Sequence, residues 1–203
     1  VVDEIQFLSP TIKSSKTLLE IGCGYGRTCH AILCNFDNVE KYIIADLDVM
    51  LTHSKKYLSQ TLSEEKYNKI EFISVESQLD KLSNTLVDLT IQIDAFNEIE
   101  PSDVRFYLEM IDKNSKYFYT KNPLGKYIDP SLDGHWSGNK AVENVMKSGL
   151  LTDVIDIDSN LDILASVPKF IKTYTPSENW VCDSNRWAKP TPFVWQAIYK
   201  KND

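Results

Sequence analysis

Short β-rich apolar runs alternate along the chain with helix-length amphipathic segments. A brief apolar run bounded by turn residues reads as a buried strand, and apolar positions at helical spacing read as one face of a helix. Strands are expected over residues 16–21, 41–46 (KYIIAD), 70–75 (IEFISV), 87–94 (VDLTIQID) and 115–122 (SKYFYTKN), the last ended by Pro123. Helices are expected over about 26–35 and about 49–63, the second with Met50, Leu51, Tyr57, Leu58 and Leu62 near helical spacing. A further helix spans 101–114, opening on Pro101 and Ser102, and another spans 140–149, closed by Gly149. A helix or turn is expected over about 4–15. In the last third, LLTDVIDID (150–158) reads as a sixth strand and PFVWQAIYKK (192–201) as a seventh. Between them, residues 159–192 hold four prolines and two tryptophans, which suits a long irregular insertion more than a second domain. Strands alternating with crossover helices imply an α/β sheet.

Composition narrows the picture. With 203 residues, 42% hydrophobic and 25% charged, the chain reads as one soluble domain, 1–203, with one sizeable core. Its apolar runs are strand-sized, so no membrane span is expected. No signal peptide is visible, and the chain starts at Val1 rather than Met, so a fragment or processed form lacking an N-terminal portion is expected. The net charge of −7 comes with no evident basic face, which disfavours a nucleic-acid partner. Cys23, Cys29, Cys34 and Cys182 have no metal-ligand or disulfide-framework spacing. They read as buried thiols of a reducing, cytoplasmic protein.

The candidate chemistry begins at TLLEIGCGYGR, Thr17 to Arg27. Glycines after a strand let the backbone turn tightly and approach a ligand closely, and the following helix points free N–H groups into the turn. The dinucleotide fingerprint is G-x-G-x-x-G. Gly22, Gly24 and Gly26 give G-x-G-x-G instead, with Arg27 where the third glycine belongs. Glu20 sits just upstream, where it would repel a pyrophosphate and favour a cation. Asp46 ends the second strand, 20 residues past Gly26, where a carboxylate can accept from two ribose hydroxyls. The competing role is a cap on the next helix, for which Asp48 is the better candidate.

EIGCGYG, Glu20 to Gly26, resembles the first motif of the class I S-adenosylmethionine-dependent methyltransferases at every fixed position. The resemblance covers residues from about 16 to 201. It implies a Rossmann-like α/β fold with a seven-stranded, mostly parallel sheet, helices on both faces and an antiparallel last strand. It also implies S-adenosylmethionine as cofactor. Glu20 would lie near its amino-acid end, with Gly22, Cys23, Gly24 and Gly26 close to it, and Asp46 and Leu47 at its ribose. Glu76 and Ser77 would sit near the adenine, although the family more often has Asp at Glu76, which otherwise reads as a solvated acid.

The fourth strand ends in IDAFNEIE, which sets Asp94, Asn97 and Glu98 beside the transferred methyl, since ligands bind at the carboxyl ends of strands. An alcohol acceptor needs its proton removed. Glu98, Asp94 and His135 are the candidate bases, while His30 and His53 fall on helices and read as packing or surface residues. Asp94, Glu98 and Asp133 are compatible with a divalent metal, but no spacing demands one. QIDAFNEIE and YFYTKNPLGKY look like the sugar O-methyltransferases of bacterial surface-glycan pathways, which implies a small acceptor such as a sugar or nucleotide-sugar. Tyr174, Trp180, Trp187 and Trp136 are candidates to stack on a sugar ring, and Trp195 reads as core. The alternatives are an amine or acid acceptor, or a binding protein that kept the fold and lost turnover. Oligomeric state is not indicated.

Overall fold

The structure is a computed structural model and describes residues 1–127 and 139–202. The chain opens with α1 (Val2–Lys13), which continues through Pro10. It proceeds through β1 (Thr17–Ile21), α2 (Arg27–Asn35), β2 (Lys41–Asp46), α3 (Asp48–Thr61), the short α4 (Glu64–Tyr67), β3 (Ile70–Ser74) and the short α5 (Leu79–Ser83). Next come β4 (Val87–Ile93), a single 3-10 turn (Ala95–Asn97), α6 (Pro101–Asn114), β5 (Ser115–Pro123) and α7 (Asn139–Lys147). The chain closes with α8 (Asn160–Tyr174), β6 (Trp180–Trp187) and β7 (Val194–Lys201).

One seven-stranded sheet has the order β3-β2-β1-β4-β5-β7-β6. β1 to β5 pair in parallel, and β7 runs antiparallel between β5 and β6. The expected Rossmann-like sheet with an antiparallel last strand is what forms. Successive side chains of a strand face opposite ways, and the core divides accordingly. Leu18, Tyr42, Ile44, Leu89 and Ile91 pack against Leu8 and Ile12 of α1, Ile32 of α2 and Leu51 and Leu58 of α3. Leu19, Ile21, Ile43, Ala45 and Phe118 pack against Leu82 of α5, Val104 and Ile111 of α6, and Ile163 and Phe170 of α8. Helices therefore cover both faces.

Two expectations for the last third are corrected. Residues 150–158 form no strand; among the described residues their sheet-like contact is one bridge from Val154 to Lys126. The sixth strand is β6, and residues 159–192 hold α8 and β6 rather than an irregular insertion. The prolines misled because α8 carries Pro168 in its interior, where proline normally breaks a helix. Burial of Ile163, Phe170 and Tyr174 on one face holds the helix through it.

The aromatic residues are also reassigned. Tyr174 is 0% exposed and packs tilted against Phe96 and edge-on against Phe170. Trp180 is 4% exposed and donates Nε1–H to Asp112 at 2.7 Å. Trp187 packs on Trp195 with ring centroids 5.3 Å apart. All three pack with the core, Trp187 only partly buried; Trp136 lies outside the described residues. Of the cysteines only Cys29 is fully buried, and Cys34 is exposed, so the expectation of uniformly buried thiols is corrected too. Among the described residues no helix is long and apolar enough to cross a membrane.

Candidate functional site

The order reverses beside β1, with β2 on one side and β4 on the other. In open α/β sheets such a switch point leaves a crevice at the carboxyl ends of the strands. A cavity of about 410 Å³ lies there. Its floor is Ile21, Ala45 and Ile93, the last residues of the three strands or their neighbours. Gly22 and Gly24 line one wall, and Asp46, Leu47, Met50 and Val75 another. Asp94, Ala95, Glu98 and Ile99 line a third, with Asp103 and Tyr107 of α6 beyond them.

Gly22 and Gly24 have φ of +71° and +57°, left-handed values that disfavour side chains. A Cβ on Gly22 would sit 2.5 Å from the Cβ of Ala95, so the glycine loop and the turn after β4 touch backbone to side chain. A Cβ on Gly24 would meet no atom within 4 Å. Gly24 therefore borders open space on a cavity wall, as a cradle for a closely held ligand requires.

Asp46 is locked at the end of β2. Oδ1 accepts the N–H of Leu47 at 2.8 Å and Oδ2 that of Gly24 at 3.1 Å. Each oxygen keeps a lone pair for another donor.

Glu20 lies elsewhere. It shares the strand parity of Leu18, so its carboxyl turns toward α2 and not toward the cavity. It is 2% exposed, and Tyr42 donates its hydroxyl to Oε2 at 2.8 Å. Burial raises its pKa to about 7, against hydrogen bonds from Tyr42, Thr28 and the Cys29 main chain. Those last contacts make it a buried cap on the start of α2, a helix whose own N-cap, Gly26, has no side chain to offer. Cys23 and Gly26 also line none of the cavity; burial, then Glu20 and Asp46, push the Cys23 thiol up.

Glu76 is exposed, and Oε2 accepts the N–H of Asp48 at 2.8 Å, capping α3. The expected cap, Asp48, is instead the residue being capped. Ser77 is exposed and lines no part of the cavity.

The turn after β4 is the most constrained part of the site. Asp94 has φ +60°, rare for a residue with a side chain, and its N–H donates to the Lys121 carbonyl at 2.8 Å. Buried Gln92, with its amide oxygen facing the turn, accepts from Ala95 and Phe96 N–H at 2.7 and 2.8 Å. Its amide nitrogen then donates to Thr120 Oγ1 at 2.7 Å. Burial raises the Asp94 pKa, with Lys121 opposing and Glu4 adding. Lys121 is itself held by Glu4 at 2.8 Å. Glu98, at the exposed rim, is raised by partial loss of water and by Asp94, with Lys126 opposing. His135 and Asp133 lie outside the described residues.

The fold thus gathers Gly22, Gly24, Asp46, Leu47, Asp94 and Glu98 around one cavity, and leaves Glu20, Cys23, Gly26, Glu76 and Ser77 off its walls. Sequence reading missed Gln92, Asp103, Tyr107 and Lys126. Asp103 and Tyr107 are four apart on α6, a spacing that puts both on one helix face and was a readable signal. Burial pushes Tyr107 up to about 12, with Asp103 and Asp46 adding.

The sheet order and the switch-point cavity define a Rossmann-like fold, and solved structures that share it include methyltransferase domains. Among solved structures, the methyltransferase domain of bacterial CtHen1-C matches with a TM-score of 0.62 at 12% identity, over 99% of this chain and 98% of that one. An O-methyltransferase family protein from Burkholderia thailandensis matches with a TM-score of 0.64 at 10% identity, over 100% of this chain and 59% of that one. PigF, solved with SAH, matches with a TM-score of 0.54 at 13% identity, over 96% and 61%. No protein-family model and no curated protein sequence matches the chain.

Proposed function

We propose that residues 1–203 are one methyltransferase domain that binds S-adenosylmethionine in this cavity and moves its methyl group to a hydroxyl of a small molecule. The observation that carries the reading is a glycine-rimmed cavity of about 410 Å³ with carboxylates at the ends of β2 and β4. The open space beside Gly24 fits a ligand held against the main chain. Asp46 would take the ribose hydroxyls, and Leu47, Met50 and Val75 offer an apolar bed for the adenine. Asp103, rather than Glu76, is the carboxylate within reach of the cavity on the α6 side. When bound, the donor supplies a methyl group on a cationic sulfur.

The residues of this chain then do two things. The turn from Asp94 to Glu98 positions the acceptor, and positioning alone lowers much of such a barrier. Asp94 or Glu98, both with raised proton affinity, takes the hydroxyl proton. His135 is the third candidate base.

Among the described residues four carboxylates line the cavity, Asp46, Asp94, Glu98 and Asp103, and no lysine or arginine does. That charge suits a cationic donor and an uncharged acceptor, so a neutral sugar hydroxyl fits better than a nucleotide-sugar. The same charge favours a protonated amine as the second acceptor class. The O-methyltransferase neighbour supports the hydroxyl. Calorimetry with S-adenosylmethionine, S-adenosylhomocysteine and NAD tests the reading. Binding of the two sulfur compounds but not NAD is expected, and binding of neither sulfur compound rejects it.

A further inference from the structure

The turn that carries Asp94 and Glu98 is gripped from outside its own strand. Lys126 Nζ donates to the Asn97 carbonyl at 3.0 Å, and Ser148 Oγ lies 2.8 Å from the same oxygen, sharing its one proton between it and the Val145 carbonyl at 2.8 Å. Asn97 Nδ2 in turn donates to the Asp94 carbonyl at 2.8 Å, which ties the gripped residue to the strained one. Gly149 N–H donates to the Ile99 carbonyl at 2.7 Å. Gly149 packs so tightly, at φ +70°, that a Cβ there would lie 2.8 Å from the Phe96 carbonyl oxygen.

Lys126 is only 7% exposed. Burying an ammonium is costly, and a neutral donor would hold a carbonyl at less cost. The charge has a use beyond the hydrogen bond. Its field falls on Glu98, and Glu98 in turn is the charged neighbour that favours the Lys126 ammonium against its burial.

We propose that Lys126 is a positioning residue: its buried ammonium clamps the Asn97 carbonyl together with Ser148 and so sets where Asp94 and Glu98 stand at the cavity. The assignment rests on the methyl-donor reading of that cavity. The turn also touches the glycine loop through Ala95 and Gly22, so loosening it disturbs the donor's wall as well as the acceptor's.

Lys126→Met keeps the aliphatic stem and removes the charge. Three measurements follow: hydrogen exchange over residues 94–99, calorimetric affinity for S-adenosylmethionine, and titration of the Glu98 carboxyl by carbon NMR. Exchange over 94–99 should rise about tenfold while β1 and β2 keep their rates. Affinity should fall about tenfold, as expected for losing a charge-assisted hydrogen bond that holds the wall. The Glu98 midpoint should move up, because of the charged groups that face it among the described residues, Lys126 and Asp94, only the repelling one remains. If Lys126→Met fails to fold, Ser148→Ala removes the second donor on the same carbonyl and should speed the same exchange. Wild-type exchange over 94–99, acceleration spread evenly through the sheet, or an unmoved Glu98 midpoint overturns the assignment. Failure of the wild-type protein to bind the donor overturns the donor reading alone, since the exchange and titration arms need no ligand.

Discussion

The carboxylate of Asp46 accepts the main-chain N–H of Gly24 at 3.1 Å, joining the end of β2 to the middle of the glycine loop. One side chain therefore shapes the loop and faces the cavity. Asp46→Asn keeps the side chain's size but loses the charge and sets an amide NH2 against one of the two main-chain N–H groups, Leu47 or Gly24, that the carboxylate accepts. Hydrogen bonds to charged groups are worth about 1.5–3 kcal/mol, so affinity for S-adenosylmethionine should fall roughly 10- to 100-fold. Calorimetry checks this, and a change under about twofold would remove Asp46 from the ribose.

Gly22 and Gly24 should respond differently to alanine. Gly22→Ala drives a Cβ to 2.5 Å from Ala95, so both stability and binding should suffer, with stability down by about 2–3 kcal/mol. Gly24→Ala meets no protein atom and pays only for its φ, about 1–2 kcal/mol. Its methyl group points into open space, so its binding loss should exceed its stability loss. Urea unfolding beside calorimetry separates the two, and equal ratios for both variants would contradict the cradle.

Glu20 should leave a mark on stability against pH. Burial lifts it from 4.5 to about 7 in the folded chain. Between those values the folded state holds a proton that the unfolded state has lost. Stability attributable to Glu20 therefore falls as pH rises from about 4.5 to about 7, by at most on the order of 3 kcal/mol, and is flat above. Glu20→Gln should flatten that slope in urea titrations at pH 5 and 7.5. An identical slope in the variant would show that Glu20 titrates normally.

Trp180→Phe should destabilise without touching the site. The indole is buried and donates to Asp112, which Ser177 also contacts at 2.9 Å. Losing the bond and part of the packing should cost about 2–3 kcal/mol, read as a lower thermal midpoint, with donor affinity unchanged. A loss of binding at unchanged stability would return Trp180 to ligand recognition.

Glu98→Gln should spare donor binding, within about twofold, and lower methyl transfer to a hydroxyl acceptor about 10²-fold or more if Glu98 is the base. Asp94→Asn is the parallel test. Transfer that survives both substitutions leaves the proton to His135 or to solvent.

The first two thirds of the fold were legible because β1 to β5 are short apolar runs whose ends are marked by Gly22, Asp46 and Pro123. The last third was not. Pro168 looks like a helix breaker when only local preference is weighed, and β6 is mostly polar, reading WVCDSNRW, with Trp180 buried and the rest half-buried or exposed. Pairing with β7 from Trp180 to Trp187, with one irregularity between Cys182 and Ser184, supplies the stability that its composition does not advertise.

By itself the sequence determined the glycine spacing, the acid at the end of β2 and the polar turn after β4, since these depend on local backbone needs and on distance along the chain. Only the tertiary structure decided which acids face the cavity. Glu20 and Ile21 are neighbours in the chain, yet strand pleating turns one into the layer beneath α2 and the other into the cavity floor. Likewise Asp103 reaches the site and Glu76 does not, because a side chain's address is set by the face its element buries, and that face is chosen by packing across the whole sheet.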